Sequence, residues 1–158
     1  MLSSQLAGIG ALPPHLGLSK DAYRAMLLQH FPGVDLPAAY IAPDSPAPLR
    51  AQEQDELRNL LLNHRADLSL EAEWMADIVV QGCMGGDHLW QDLGLWSRTD
   101  LSLLMRQNFP ALAQKNNKDM KWKKFLYKQL CEAEGVYVCR SPSCEVCPDY
   151  QGCFGPED

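Results

Sequence analysis

Along much of the chain, apolar residues recur every three or four positions, the spacing that lines one face of a helix. Lys20 to His30 carries Tyr23, Met26 and Leu27 in that register, with Phe31 following; Ser19 is placed to cap the first turn and Phe31-Pro32-Gly33 to stop the last. Leu49 to Asn63 repeats the pattern through Leu57, Leu60 and Leu61. After Ser69, a second capping residue, Leu70, Trp74, Met75, Ile78, Val79 and Cys83 make a stripe wide enough to put their helix at the centre of the core. A short helix capped by Asp87 runs through Leu95, and Ser97 or Thr99 opens another that turns Leu101, Leu104 and Met105 inward and ends at Phe109-Pro110. Asn116 or Asn117 reads as the cap of the last long helix, with Trp122, Phe125, Leu126, Leu130 and Ala133 on one face and Gly135 as its stop.

The stretches between these helices are rich in turn formers. Residues 1–18 are small, apolar and turn-rich, and Pro13-Pro14 forbids a helix through that point. Pro37, Pro43, Pro46 and Pro48 make 34–48 an extended connector, and Val136-Tyr137-Val138 reads as extended chain leading into Cys139. The pattern predicts an all-α fold: one compact domain over 1–158 with about five to six helices. It divides into a helical core (1–135, with the Pro-rich connector at 34–48) and an irregular C-terminal cysteine-rich metal-binding loop (136–158). Leu16-Gly17-Leu18-Ser19 through Gln29-His30-Phe31-Pro32 also echoes Leu93-Gly94-Leu95-Trp96-Ser97 through Gln107-Asn108-Phe109-Pro110. This is either a duplicated helical unit or two helices with similar caps.

Composition narrows the function class. With 46% hydrophobic and 22% charged residues, the chain is ordinary for a globular protein. A net charge of −6 argues against nucleic-acid binding, and no apolar run approaches a membrane span. The first basic residue is Lys20 and no unbroken apolar segment precedes it, so no secretory signal is expected and the protein reads as cytoplasmic, with reduced cysteines. Lys115, Lys118, Lys121, Lys123, Lys124 and Lys128 concentrate positive charge in one stretch, read either as a solvated helix side or as a docking face for an acidic partner or an anion. No phosphate-cradling glycine loop or Ser-His-Asp order is present, so nothing argues for a hydrolase or transferase.

The chemistry concentrates at the C-terminus. Cys139, Cys144, Cys147 and Cys153 follow the spacing C-x4-C-x2-C-x5-C, with Pro142, Pro148, Gly152 and Gly155 interrupting the stretch so that it reads as a loop able to turn several sulfurs to one centre. Four thiolates suit an iron–sulfur cluster or zinc; a disulfide reading needs an oxidising compartment. Structural zinc sites usually bring two C-x2-C knuckles, and this loop has one. A second locus is Cys83-Met84-Gly85-Gly86-Asp87-His88, where Cys83 and His88 are candidate ligands against the plainer reading of a buried Cys and a surface His. Cys131, in the last helix, is a packing residue or a further ligand.

Taken together, the cysteine loop followed by Phe154-Gly155, the block Cys83-Met84-Gly85-Gly86-Asp87-His88-Leu89-Trp90-Gln91-Asp92-Leu93-Gly94-Leu95, and Asp119-Met120-Lys121-Trp122-Lys123-Lys124-Phe125 resemble the NifQ family of nitrogen-fixation proteins, from about Leu12 onward. That resemblance implies a role in iron–molybdenum cofactor biosynthesis. The chain would be a metal-cluster carrier and molybdenum donor, not an enzyme, although a molybdate-processing step is a further option. It maps the family's cysteine motif onto Cys139, Cys144, Cys147 and Cys153, which would hold an iron–sulfur cluster of 4Fe–4S or molybdenum–iron–sulfur type. The implied partners are the nitrogenase iron protein, the NifEN scaffold complex and molybdate. A donor needs an exchangeable position, so one of the four cysteines, His88 or Cys83 is expected to take molybdenum or an incoming oxyanion. Glu145, Asp149, Glu157 and Asp158 surround the thiolates, opposed by Arg140, and predict a low reduction potential. The competing readings are a zinc-stabilised helical interaction module and a small iron–sulfur electron carrier.

Overall fold

The computed structural model describes residues 1–33, 48–133, 135 and 150–157. Among them the regular structure is entirely helical: α1 (Leu2–Leu6), a 3₁₀ turn (Pro14–Gly17), α2 (Lys20–His30), α3 (Pro48–Asn63), α4 (Leu70–Cys83), α5 (Leu89–Asp92), α6 (Arg98–Asn108), α7 (Pro110–Lys115), α8 (Trp122–Ala133) and α9 (Tyr150–Phe154). The capping serines act as their chemistry requires. Ser19, Ser69 and Ser97 accept from the backbone N–H groups of Ala22, Ala72 and Asp100, and each bond contributes roughly 1 kcal/mol.

The buried side chains form one cluster with α4 at its heart: Trp74, Ile78, Val79, Val80 and Cys83 are all withdrawn from solvent. α3 packs on α4 and α8 and contributes Leu57 and Leu61, and α6 packs on α5 and α7 through Leu101 and Met105. Three residues expected to point inward do not. Leu70 is 62% exposed because it sits in the first turn of α4, beyond the packed face; Phe31 is 39% exposed at the end of α2; and Ala133 is exposed at the end of α8.

There are more helices than the apolar pattern predicts, and each addition has a local cause. Pro110 takes the first position of α7, where its missing N–H costs nothing, while Phe109 is fully buried as the pivot between α6 and α7. α1 exists because its surroundings hold it: Ser4 donates to the Gly94 carbonyl at 2.7 Å, and Ala11 N–H donates to the Asp92 carbonyl at 2.8 Å. α8 starts at Trp122 and not at Asn116 or Asn117. Asn116 instead clamps the preceding loop, its side chain donating to the Met120 carbonyl at 2.9 Å and accepting Met120 N–H at 2.8 Å, with Asp119 at φ 55°. The proline-rich segment and Val136-Tyr137-Val138 lie outside the described residues, save that Pro48 begins α3.

Candidate functional site

Cys139, Cys144 and Cys147 lie outside the described residues; the fourth cysteine of the loop does not. Cys153 sits in α9 as a free, half-buried thiol packed with Phe154 against the core. This corrects the expectation of loop throughout. Gly152 and Gly155 do not prevent a helical turn here, because other contacts supply what propensity lacks: within the turn, Tyr150 and Phe154 stack at 4.6 Å and Gly155 N–H donates to Gln151 O at 2.9 Å, and from outside it Lys121 N–H donates to the Cys153 carbonyl at 2.8 Å. The last bond ties the cysteine-bearing turn to the start of α8. Cys131, half-buried on α8, is also free, and no three His, Cys, Asp or Glu side chains among the described residues converge as a metal site.

The Cys83–His88 segment makes the corner between α4 and α5. Cys83 is 5% exposed, and burial pushes its thiol up to about 12; Lys123 opposes that shift, while Asp92 and Glu53 add to it. Below the corner lies Asp92, whose side chain is 2% exposed. It forms an ion pair with Lys123 of α8 and accepts Asp87 N–H at 3.1 Å, and Lys123 also donates to the Gly85 carbonyl at 2.8 Å. A Cβ at Gly85 would overlap the Asp92 carboxylate, so this glycine is required by close approach. Arg50 donates to the Met84 carbonyl at 3.0 Å, and Tyr127 donates to Glu53, with burial pushing its phenol well above the ordinary range. The corner is therefore cross-linked to α3 and α8. Lys123 belongs to the lysine-rich stretch yet is 18% exposed and used internally, unlike a solvated surface lysine.

His88 faces the C-terminal tail. Its Nδ1 lies 3.8 Å from Glu157 Oε1, and the same oxygen is 2.8 Å from Nη1 of Arg98 in the first turn of α6. The Glu157 side chain is 3% exposed, and its other oxygen, Oε2, is buried without a hydrogen-bond partner. Arg98 Nη2 meanwhile donates to Asp119 O at 2.8 Å, Asp119 Oδ1 at 2.9 Å and Met120 O at 3.1 Å. The tail four residues past Cys153 thus docks beside His88, through a carboxylate that the sequence presents only as part of an acidic surround.

A family model described as NifQ matches residues 1–155, a span that includes all four cysteines of the loop. The chain belongs to the NifQ family. NifQ proteins are nitrogen-fixation proteins, so the resemblance carried by the three motifs holds over nearly the whole chain. Protein NifQ of Azotobacter vinelandii is 47% identical, covering 99% of this chain and 86% of its own length. Protein NifQ of Rhodobacter capsulatus is 38% identical over 96% of this chain and 82% of its own, and Protein NifQ of Klebsiella pneumoniae is 37% identical over 94% and 90%. No solved structure matches.

For a NifQ chain, the geometry draws together two of the motifs read from the sequence: the tail beyond Cys153 meets the Cys83–His88 corner through Glu157. Asp92, Arg98 and Lys123 are the polar residues that sequence reasoning missed. The signal available was weak, since Asp92 is simply an acid inside an otherwise apolar helical stretch. No helix among the described residues is long and apolar enough to cross a membrane.

Proposed function

We propose that this chain is a cytoplasmic metal-cluster carrier that supplies molybdenum for assembly of the nitrogenase iron–molybdenum cofactor. Its cargo is an iron–sulfur cluster, of 4Fe–4S or molybdenum–iron–sulfur type, held by the thiolates of Cys139, Cys144, Cys147 and Cys153. It acts as a donor and not as an enzyme, with the nitrogenase iron protein and the NifEN scaffold as the partners it delivers to and molybdate as the source of the metal.

The observation that carries this reading is the complete C-x4-C-x2-C-x5-C quartet within a chain of the NifQ family. Four soft ligands in one short segment suit sulfide-bridged iron. Cys153 supports it further, as a free thiol at half-burial on a turn whose backbone is anchored to α8, which fits a donor held in place while partly reachable. Cys83 fits less well as a ligand, because its thiol lies within the apolar cluster and its proton is held tightly. His88, partly exposed beside the tail, remains placed for an incoming group.

Iron, molybdenum, zinc and sulfide quantified on anaerobically purified protein test the reading. Iron and sulfide together with molybdenum after molybdate feeding are expected, with loss of bound metal in alanine variants of the four loop cysteines. Zinc at one per chain without visible absorption would replace the reading with a stapled interaction module; iron and sulfide that never acquire molybdenum would replace it with an electron carrier.

A further inference from the structure

The contact between Glu157, Arg98 and His88 has the form of an occupied anion site. Arg98 stands in the first turn of α6, an eleven-residue helix whose N-terminal end carries partial positive charge. Its guanidinium is oriented by the three bonds from Nη2 to the Asp119 and Met120 backbone and the Asp119 carboxylate, which leaves Nη1 directed at the tail. His88 Nδ1 lies on the other side of the same carboxylate oxygen. Glu157 fills this space imperfectly. Oε1 meets Arg98 at 2.8 Å but stands 3.8 Å from His88, beyond a hydrogen bond, while Oε2 is buried with no donor. A buried acceptor left without a donor has lost its water and gained nothing in return, so the tail's own carboxylate is a suboptimal occupant.

We propose that Arg98 and His88 form a binding site for a small tetrahedral oxyanion, and that Glu157 is the exchangeable plug that occupies it when the anion is absent. A tetrahedral anion presents oxygens in several directions and is not tethered to the backbone, so it can meet Arg98 and His88 with separate oxygens, which Glu157 does not. Exchange has a structural consequence. Glu157 is four residues from Cys153, so displacing it removes one attachment of the tail and leaves the Lys121 N–H bond to the Cys153 carbonyl and the packing of Cys153 and Phe154 on the core. Arrival of the anion thereby loosens the segment that carries the last cysteine of the loop. Identifying the anion as molybdate rests on the donor reading above; the site itself rests on the three side chains.

Binding of molybdate to the metal-free full-length chain, measured by calorimetry with sulfate as a ligand of the same shape, tests this. Glu157→Gln removes the competing charge and is expected to tighten molybdate binding by at least about tenfold, one decade per 1.4 kcal/mol. His88→Ala is expected to weaken it, and Arg98→Gln to abolish it. Because Arg98 also holds the 119–120 loop, the comparison of wild type with Glu157→Gln stands without that variant. Alkylation of Cys153, followed by mass spectrometry, is expected to quicken when wild type is saturated with molybdate and to be fast from the outset in Glu157→Gln. Equal affinity in wild type and Glu157→Gln, or no molybdate or sulfate binding to either, overturns the site. Sulfate binding as tightly as molybdate keeps the site but removes molybdate as its particular ligand. Since the readout uses metal-free protein, a chain that never loads a cluster would sink the donor reading while leaving this result intact.

Discussion

Asp92 and Glu157 are both carboxylates almost fully withdrawn from solvent, and both face a basic side chain from a neighbouring helix. They differ in what else meets them. Asp92 receives two donors on one oxygen, since Oδ2 meets both Lys123 and Asp87 N–H, and its lysine is further occupied by the Gly85 carbonyl. Glu157 has Arg98 alone within hydrogen-bond reach, with one oxygen left bare. A buried charge met by two donors, one of them a lysine that is itself anchored to a carbonyl, acts as a fixed joint, because separating the pair strands a charge. A half-matched one is held less firmly and can be exchanged. The α4–α5 corner is thus a clamp, whereas the tail after Cys153 is a latch.

The difference can be broken at several points, beginning with the largest expected effect. Asp92→Ala leaves Lys123 without its buried partner and Asp87 N–H without its acceptor, and is expected to cost about 3–5 kcal/mol in denaturant unfolding; a cost near zero would show that the corner is not a clamp. Gly85→Ala pushes a methyl into the same carboxylate and is expected to cost about 1–3 kcal/mol, less when made on top of Asp92→Ala because the two changes share one contact. The corner should also confer an alkaline limit. The folded protein holds the Cys83 proton more tightly than the unfolded chain, so this contribution is complete below the ordinary thiol pKa of 9.0 and declines as pH rises toward about 12. Stability is expected to fall steadily as pH rises across that window, and Cys83→Ala should flatten the slope. Tyr127, pushed up by burial and then by its bond to Glu53, steepens the alkaline end. Smallest of all, Glu157→Gln is expected to cost about 1 kcal/mol or less, since Arg98 keeps its bonds to the 119–120 loop. A cost matching that of Asp92→Ala would erase the distinction between clamp and latch.

Much of the helical frame was legible from local pattern. Ser19 and Ser97 cap helices of eleven residues each, and both helices end on a phenylalanine with nearly the same backbone angles, φ −132°, ψ 52° at Phe31 and φ −135°, ψ 58° at Phe109. The echo between the two stretches is therefore present in backbone as well as letters. Their fates diverge all the same. Phe109 is fully buried and Pro110 starts a new helix, whereas Phe31 is 39% exposed and Gly33 follows at φ 83°. Nothing within either motif decides this; what decides it is whether a packed wall stands beside the phenylalanine. α1 and α9 escaped local reading for the same reason, since each is a five-residue helix held by partners far away in sequence.

Sequence alone determined the all-α class, the serine caps, the central place of α4 and the family, because caps and apolar periodicity act over a few residues and the family motifs are contiguous. Tertiary structure alone decided that Lys123 reaches Asp92, that Arg98 receives Glu157, and that the tail carrying Cys153 returns to His88. These contacts, Lys123–Asp92, Arg98–Glu157 and His88–Glu157, join residues 31 to 69 positions apart only once the helices are packed, and the physical reason is selective burial. A charge withdrawn from water must find a partner, but which partner is available depends on which helix ends the packed core brings together.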